Sequence, residues 1–415
     1  MQAKKYLIVV GGATASGKTS TAIALARHFN TLVLSADSRQ FYREMSIGTA
    51  KPTREELDQV PHYFIDSHSI TEDYSVGAYE SEALNLLHQL FQEKEVLILA
   101  GGSGLYINAL CQGLDEFPKV PGEVRQSFEN LWEEQGLEVL QEALRRVDPA
   151  YAKTVDMQNP HRLIRALSVQ RVSGRPYSAF RKKAGPSRFF TPIYLQMAWD
   201  RSVLYDRINR RVDLMVEAGL ETEARSLRDY RGHSALATVG YQEWWGYFDG
   251  DTGRESVIEL IKRNTRRYAK RQLTWMRRDG FWRHFSPNDP EAIIAYAEWR
   301  MTTAYTLNTL RRDGQEIIAY QDEDQVVAQI LMEKTKKYTL ARVQVATDQR
   351  ALESLLSEFT WRAGNRSQFL ILPENAELSA RELGFQSANK LQKLPVPVRN
   401  YLKTGDTLLV RNGKK

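Results

Sequence analysis

The octapeptide Gly12-Ala13-Thr14-Ala15-Ser16-Gly17-Lys18-Thr19 constrains this chain more than any other segment. It fits the phosphate-loop pattern G-x-x-x-x-G-K-[ST] without a mismatch. Before it, Tyr6-Leu7-Ile8-Val9-Val10 is a short apolar run that reads as a buried strand; after it, Ile23, Ala26 and Phe29 repeat at helical spacing. The order strand, glycine loop, helix has a physical cause. Glycines let the backbone curl so that successive N–H groups point inward, and the helix N-terminus adds partial positive charge. Lys18 supplies a full charge, and the Thr19 hydroxyl can ligate Mg²⁺. An ordinary Gly-rich strand-to-helix turn is the competing reading, and the complete pattern in this context weighs against it. The loop calls for a polyphosphate or diphosphate without saying which.

The rest of the chain predicts an α/β class: a phosphate-loop parallel sheet with a helical insertion and a small C-terminal α+β unit. Residues 1–114 alternate strand and helix, with strands at 31–35 and 96–100 and a helix over 76–92. Pro118 and Pro121 break that pattern, and helical periodicity then runs to about Phe180, so 115–188 reads as an insertion. Ile193 to Ala198 returns to the sheet, and 200–282 is again mostly helical, which assigns 1–114 and 189–302 to the core. Residues 303–415 read as a separate unit: a hairpin (316–320 and 325–331), a strand (338–345), a helix (349–361), a strand (369–373), a short helix (378–383) and a last strand.

At 415 residues, 42% of them hydrophobic, the chain has material for two or three packed domains. Its one cysteine, Cys111, excludes an internal disulfide framework and a Cys-rich zinc site, and fits a reducing cytosol. The apolar run at Tyr6–Val10 is too short for a signal peptide, and no stretch approaches the roughly 18 apolar residues of a membrane span. A cytoplasmic protein without a membrane partner is expected. The net charge of +6 matters only where it is concentrated.

It is concentrated on one predicted helix, Ile261 to Arg278. Nine Lys or Arg residues fall between Lys262 and Arg283 against one acid, Asp279. Arg263, Arg266, Arg267, Lys270 and Arg271 crowd one side, while Ile261, Tyr268, Trp275 and Met276 mark an apolar face. One-sided positive charge interleaved with aromatics is a footprint for nucleic acid, although a solvated charged face is the common alternative. Arg207, Arg210 and Arg211 form a further cluster suited to phosphate oxygens. Asp37, just past the second strand, can bind Mg²⁺ or act as a general base. Gly101-Gly102-Ser103-Gly104 is a second glycine turn, as compatible with tight packing as with binding. His161-Arg162-Leu163-Ile164-Arg165 puts charges on the predicted insertion.

Read together, these segments resemble the tRNA dimethylallyltransferase (tRNA isopentenyltransferase) family. The resemblance rests on Gly12–Thr19, on Asp37 to Pro52 (a DSRQ…IGTAKP-like stretch), on Gly101 to Tyr106, on Thr238-Val239-Gly240-Tyr241-Gln242-Glu243, and on Thr265 to Arg278. These matches run in order over about residues 5–285. The resemblance redirects the loop from ATP to dimethylallyl diphosphate, with Mg²⁺ as cofactor and tRNA as the second substrate. It implies transfer of the five-carbon unit to N6 of the adenine just 3′ of the anticodon, in tRNAs reading codons that begin with U.

By position, Gly12 to Thr19 and Arg211 would bind the diphosphate, with Lys18 and Arg211 stabilising its charge and Thr19 acting directly or through the metal. Asp37 would accept the amine proton, and Ser103 would lie close to the base. Asp37, Ser38, Arg39, Gln40, Ser103, Arg125, His161, Arg162, Leu163, Ile164, Arg165, Thr238, Gly240, Tyr241, Gln242, Arg267 and Arg271 would contact tRNA. A monomer is expected. Ala13, Glu44, Ser46, Ser103, Ser168 and Ala237 depart from the family pattern, and none removes a proposed catalytic group.

The C-terminal unit lies outside this match. Asn375 to Phe385 faintly resembles the end of GNAT-class acetyltransferases, but Ala346 to Ala351 lacks the glycines of their pyrophosphate loop, which implies a non-catalytic module. A phosphate-loop small-molecule kinase or NTPase shares the first loop but leaves the basic helix and the second glycine turn unexplained.

Overall fold

The first apolar run forms β1 (Tyr6–Gly12), whose seven residues are all buried. The computed structural model describes residues 4–181, 187–279, 281–303, 305–312, 314–322, 325–335, 338–363, 366–372, 386–387 and 407–411. Five further strands join β1: β2 (Val33–Ser35), β3 (His62–Tyr63), β4 (Val96–Gly101), β5 (Thr191–Met197) and β6 (Arg283–Phe285). Their order is β3-β2-β4-β1-β5-β6, and every neighbouring pair is parallel. A parallel sheet needs cover on both faces, which is why β1 is apolar throughout instead of alternating. The chain leaves β1 in both directions across the sheet. Ligand-binding crevices in such sheets open at the carboxyl ends of the strands beside that reversal.

Sequence periodicity finds β1, β2, β4 and β5. It misses β3 and β6, edge strands of two and three residues that carry too little apolar pattern to register. It also misses β7 (Thr306–Arg312), where arginines interrupt the alternation. The predicted C-terminal hairpin is present as β8 (Gln315–Asp322) and β9 (Gln325–Lys334), followed by β10 (Tyr338–Ala346), β11 (Ser367–Leu372), β12 (Gln386–Ser387) and β13 (Thr407–Arg411). These build a seven-stranded sheet, ordered β12-β13-β11-β10-β9-β8-β7. The short helix expected over 378–383, and the segment resembling acetyltransferases, lie outside the described residues.

The molecule divides into two compact units. One comprises Met1–Ser75, Asn85–Ile107 and Phe190–Lys415; the other comprises Val76–Leu84 and Asn108–Phe189. The C-terminal sheet therefore belongs with the parallel sheet. A continuous apolar cluster runs from Ile8 and Leu195 through Phe285, Ile293 and Trp299 to Ile318, Tyr320 and Leu355. The helix Gln349–Ala363, between β10 and its parallel neighbour β11, buries Leu352, Leu355, Leu356 and Phe359. From the same helix, Glu358 accepts bonds from Arg283 Nη1 (2.7 Å), His284 N (3.1 Å), His284 Nδ1 (2.6 Å) and Arg362 Nε (2.6 Å). Burial alone would raise the Glu358 pKa, but His284, Arg362 and Arg283 hold it well below the usual carboxylate range. Burial lowers the His284 pKa, and the Glu358 charge opposes that shift.

The second unit is helical, and it takes in 76–84 as well as 108–189. Helices Gly122–Gln135, Leu137–Val147 and Pro160–Ser173 pack around Leu140, Leu144, Leu163, Ile164, Ala166 and Leu167. Gly136, at φ 81°, makes the tight joint between the first two. Asn159 caps the third through Arg162 N (3.2 Å), with Pro160 at its first position. Cys111 is buried. Among the described residues, no helix is long and apolar enough to cross a membrane.

Candidate active site

The phosphate loop leaves β1 at Gly12 and enters the helix Lys18–His28. Ala15 at φ 62° and Gly17 at φ 90° take left-handed backbone conformations, the arrangement that turns N–H groups toward an anion. For alanine this conformation costs roughly 1–2 kcal/mol, so surrounding contacts must hold the loop. Several do. Thr14 N donates to Gln272 Oε1 (2.9 Å), Trp199 Nε1 to Ser16 O (3.1 Å), and Arg207 Nε to Ala15 O (2.9 Å). The Ser16 hydroxyl is buried with no partner in the structure. A bound oxyanion is the kind of group that would satisfy it.

Lys18 folds back onto the loop and donates to Ala13 O (2.7 Å). Burial lowers its ammonium pKa to about 8; Asp37 opposes the shift and Arg211 adds to it. One carboxylate and two cations thus share one electrostatic neighbourhood, as the sequence reading requires. Arg211 lies one turn beyond Arg207 on the helix Arg201–Glu217, and its Nη2 donates to Ala50 O (3.3 Å).

Asp37 lies just past β2, where Arg39 N donates to its Oδ1 (3.0 Å). Beside it, Ser38 N donates to Ser103 Oγ (3.0 Å), and Ser103 Oγ donates to Ser38 Oγ (3.1 Å). Tyr268 reaches the same place from the basic helix. Burial first, and then the Asp37 charge, push its hydroxyl pKa up to about 12, with a hydrogen bond to Ser103 opposing. The ends of β1, β2 and β4 therefore bring Lys18, Asp37 and Ser103 to one crevice.

The second glycine turn turns out to serve close packing as well. A Cβ on Gly101 would collide with the Ala36 backbone, on Gly102 with the Gln272 amide, and on Gly104 with the Trp275 ring. The basic helix, Arg254–Asp279, comes that close because Gly102 and Gly104 lack side chains. Its buried stripe includes Ile261, Ala269, Gln272 and Met276, while Arg263, Arg267, Lys270, Arg271 and Arg277 are exposed.

Gln272 is the residue that sequence reading passed over. Its Nε2 donates to Gly102 O (3.0 Å) while its Oε1 accepts from Thr14 N, so one amide joins both glycine turns. The signal was available: a glutamine spaced onto the apolar stripe of an otherwise basic helix. Glu223 was also missed. Its carboxylate accepts from Ser46 N (3.0 Å), Ile47 N (2.8 Å), Gly48 N (3.0 Å) and Tyr241 Oη (2.6 Å), and so fixes the 46–51 loop. Gln40 Nε2 donates to Ala50 O of that loop (3.2 Å). Glu44, where the family pattern has glycine, binds Ser69 Oγ (2.7 Å) and Ile70 N (3.1 Å).

Four of the expected RNA contacts need correction. Leu163 and Ile164 are core residues of the helical unit, on the same apolar spacing as Ala166 and Leu167. Tyr241 is fully buried and spends its hydroxyl on Glu223. Gly240 is buried too, with its N–H committed to Glu243 Oε2 (2.9 Å). By contrast Arg125, His161, Arg162, Arg165, Gln242, Arg267 and Arg271 are exposed, and Thr238 is half-buried.

Among the described residues, no group of three or more His, Cys, Asp or Glu is placed to hold a metal ion. The Thr19 hydroxyl and the Asp37 carboxylate still suit a cation that takes its other oxygens from a diphosphate and water.

A family model described as IPP transferase matches residues 40–279. The chain belongs to the IPP transferase family. It is thus an enzyme of that family, and the small-molecule kinase reading is not favoured. Among similar IPP transferases, the tRNA dimethylallyltransferase of Cytophaga hutchinsonii is 48% identical over 297 residues, 72% of this chain and 98% of that relative. The one from Christiangramia forsetii is 49% identical over 300 residues, 72% of this chain and 99% of its own length. The solved tRNA isopentenylpyrophosphate transferase of Bacillus halodurans aligns at TM-score 0.54 and 35% identity, covering 72% of this chain and 97% of that one. A eukaryotic dimethylallyltransferase acting on tRNA shares the fold, at TM-score 0.61 and 23% identity over 72% of this chain and 78% of its own.

Proposed function

We propose that this enzyme transfers the dimethylallyl group of dimethylallyl diphosphate to N6 of the adenine 3′ to the anticodon, in tRNAs reading codons that begin with U. The observation that carries the reading is the phosphate loop itself, with Lys18 folded onto it and Arg207 bound to its Ala15 carbonyl, and with the Asp37 and Arg211 charges near enough to act on Lys18. Cations and inward N–H groups suit a leaving diphosphate, and an adjacent carboxylate suits proton removal from an amine.

The adenine leaves the anticodon stack and enters the crevice from the Ser103 side. Its N6 attacks the allylic C1. The C–N bond forms as the C1–O bond breaks, and that electron pair departs on the diphosphate. The loop N–H groups, Lys18 and Arg211 take up the charge, while Asp37 accepts the N6 proton. Thr19 is the residue that would hold Mg²⁺, which when bound would neutralise part of the diphosphate charge. Ser103, fixed by Ser38, offers a hydroxyl to the base. His161, Arg162 and Arg165 in the helical unit are exposed and would contact tRNA; Arg267 and Arg271 on the basic helix are exposed and would do so too. The enzyme acts as a cytoplasmic monomer.

The test is incubation with labelled dimethylallyl diphosphate, Mg²⁺ and an anticodon stem-loop. Label is expected in N6 of the target adenine. Asp37→Ala should lower single-turnover transfer by roughly 10²–10⁴-fold with RNA affinity largely kept. ATP hydrolysis without any transfer to RNA would sink the reading.

A further inference from the structure

We propose that the cleft between the helix Gln349–Ala363 and the C-terminal end of the basic helix is a second RNA-binding site, where the substrate tRNA stacks a base on Trp361 and sets phosphates of neighbouring nucleotides against Arg350 and Arg277. The proposal rests on the tRNA reading above and assigns a role to the C-terminal sheet, which that reading leaves without one.

The cleft measures about 1240 Å³ and lies within one compact unit. Pockets for small ligands typically span about 300–1,000 Å³. From the helix, Arg350, Glu353, Ser354, Ser357, Thr360 and Trp361 line it. These recur at helical spacing, opposite the face that buries Leu352, Leu355, Leu356 and Phe359. A helix docked only for stability would put an apolar stripe against its neighbour. This one presents Arg350, Glu353, Ser357 and Trp361, while the Ser354 and Thr360 hydroxyls are spent on Arg283, Tyr320 and Ser357 O.

The charges of the cleft fall into two sets. Arg283, Arg311, Arg362 and Lys334 are each paired to Glu358 or Glu316, and they brace the walls. Arg201, Arg277 and Arg350 are exposed and form no ion pair among the described residues; Arg201 Nε donates to Tyr205 Oη (3.1 Å). The wall carrying Arg277 is fixed, because Arg311 Nη1 donates to Arg277 O (2.9 Å). Asp200, Asp289 and Glu353 also line the cleft, and Asp289 is engaged in capping Ala292 N (3.1 Å).

Trp361 stacks one face on His284, with ring centroids 3.7 Å apart and planes 10° apart, yet stays 40% exposed. A half-open indole in the same cleft as exposed guanidiniums suits a run of RNA that offers both bases and phosphates. Finally, Arg277 continues the exposed track of Arg263, Arg267, Lys270 and Arg271, whose helix reaches the active site through Gln272. An RNA held along that track is led to the cleft. That continuity favours RNA over a free nucleotide of the same chemistry.

The test measures binding of labelled full-length tRNA to the full chain and to Arg350→Glu, Arg350→Lys and Trp361→Ala, over a salt series. Arg350→Glu should weaken binding roughly 5- to 10-fold and lower the slope of log K against log salt by about one, with Arg350→Lys keeping most of both. Trp361→Ala should weaken binding at least about 5-fold through lost stacking. Arg350 is exposed, so its variants fold, and a thermal melt verifies this. Wild-type affinity and salt slope in both Arg350→Glu and Trp361→Ala would overturn the proposal. So would Arg350-dependent binding of AMP with tRNA affinity unchanged, which marks a small-nucleotide site. Because binding is read without transfer, a chain that binds tRNA through the cleft but prenylates nothing would reject the transfer reading alone.

Discussion

Gln272 and Thr14, 258 positions apart in the chain, meet in a 2.9 Å hydrogen bond from the Thr14 backbone N–H to the Gln272 side-chain oxygen. The nitrogen of the same amide donates to Gly102 O. The phosphate loop, the second glycine turn and the basic helix are therefore set against one another by a single side chain.

Gln272→Ala should reduce kcat/KM for dimethylallyl diphosphate by roughly 10²-fold, the order of effect that a small misplacement of reacting groups produces. Gln272→Glu keeps the acceptor for Thr14 but loses the donor to Gly102 and adds negative charge beside the diphosphate. It should be worse than alanine for that substrate. Steady-state kinetics of the two variants decide the order.

Lys18 supplies a pH dependence. Its ammonium pKa is about 8 in the free protein, so the charged form predominates below that pH. Diphosphate binding needs the charge. kcat/KM for the diphosphate should therefore fall above about pH 8, while kcat holds to higher pH because the bound anion favours the ammonium. Measuring both profiles checks this; Lys18→Arg, which does not titrate in this range, should lose the alkaline limb.

Glu223 holds the 46–51 loop from beneath, and that loop supplies Ala50 O to Arg211. Glu223→Ala frees three backbone N–H groups and strands the buried Tyr241 hydroxyl, at about 1–3 kcal/mol for the hydroxyl alone. Transfer should slow through a misplaced Arg211. The distinguishing readout is a double mutant: Glu223→Ala should add little to the defect of Arg211→Ala, whereas a purely global loss of stability would add in full.

Glu358 is a buried carboxylate shared by two guanidiniums. Glu358→Ala leaves both cations without their shared countercharge and should destabilise the C-terminal sheet by roughly 3–5 kcal/mol. Its pKa is depressed on folding, so its contribution is complete above the unfolded carboxylate value and is lost as pH falls through the folded one. Acid titration of the wild type, followed by hydrogen exchange in β6 and in the helix Gln349–Ala363, should show this latch opening as the carboxylate protonates.

Much of the core was readable from local pattern, because β1, β4 and β5 are continuous apolar runs and the phosphate loop dictates what flanks it. Edge strands such as β3 and β6 carry no such run, and their pairing depends on the neighbour they find. The site was legible where the chemistry is local, at Lys18, Thr19 and Asp37. It was not legible at Gln272 or Glu223, whose importance comes from backbone groups brought to them by the fold. Leu163 and Ile164 show the opposite error. They stand in a segment whose family resemblance implied RNA contact, although their helical spacing already put them in a core.

The latch at Glu358 has a further consequence. Arg283 and His284 belong to β6, the outermost strand of the parallel sheet, paired only with β5. Their partner, Glu358, comes from the helix Gln349–Ala363, beyond the residues that the family model matches. A chain cut back to Thr302 is thus not a smaller edition of the same enzyme but an unfinished one. Its last strand would carry wetted cations and an open edge that invites other chains to pair with it.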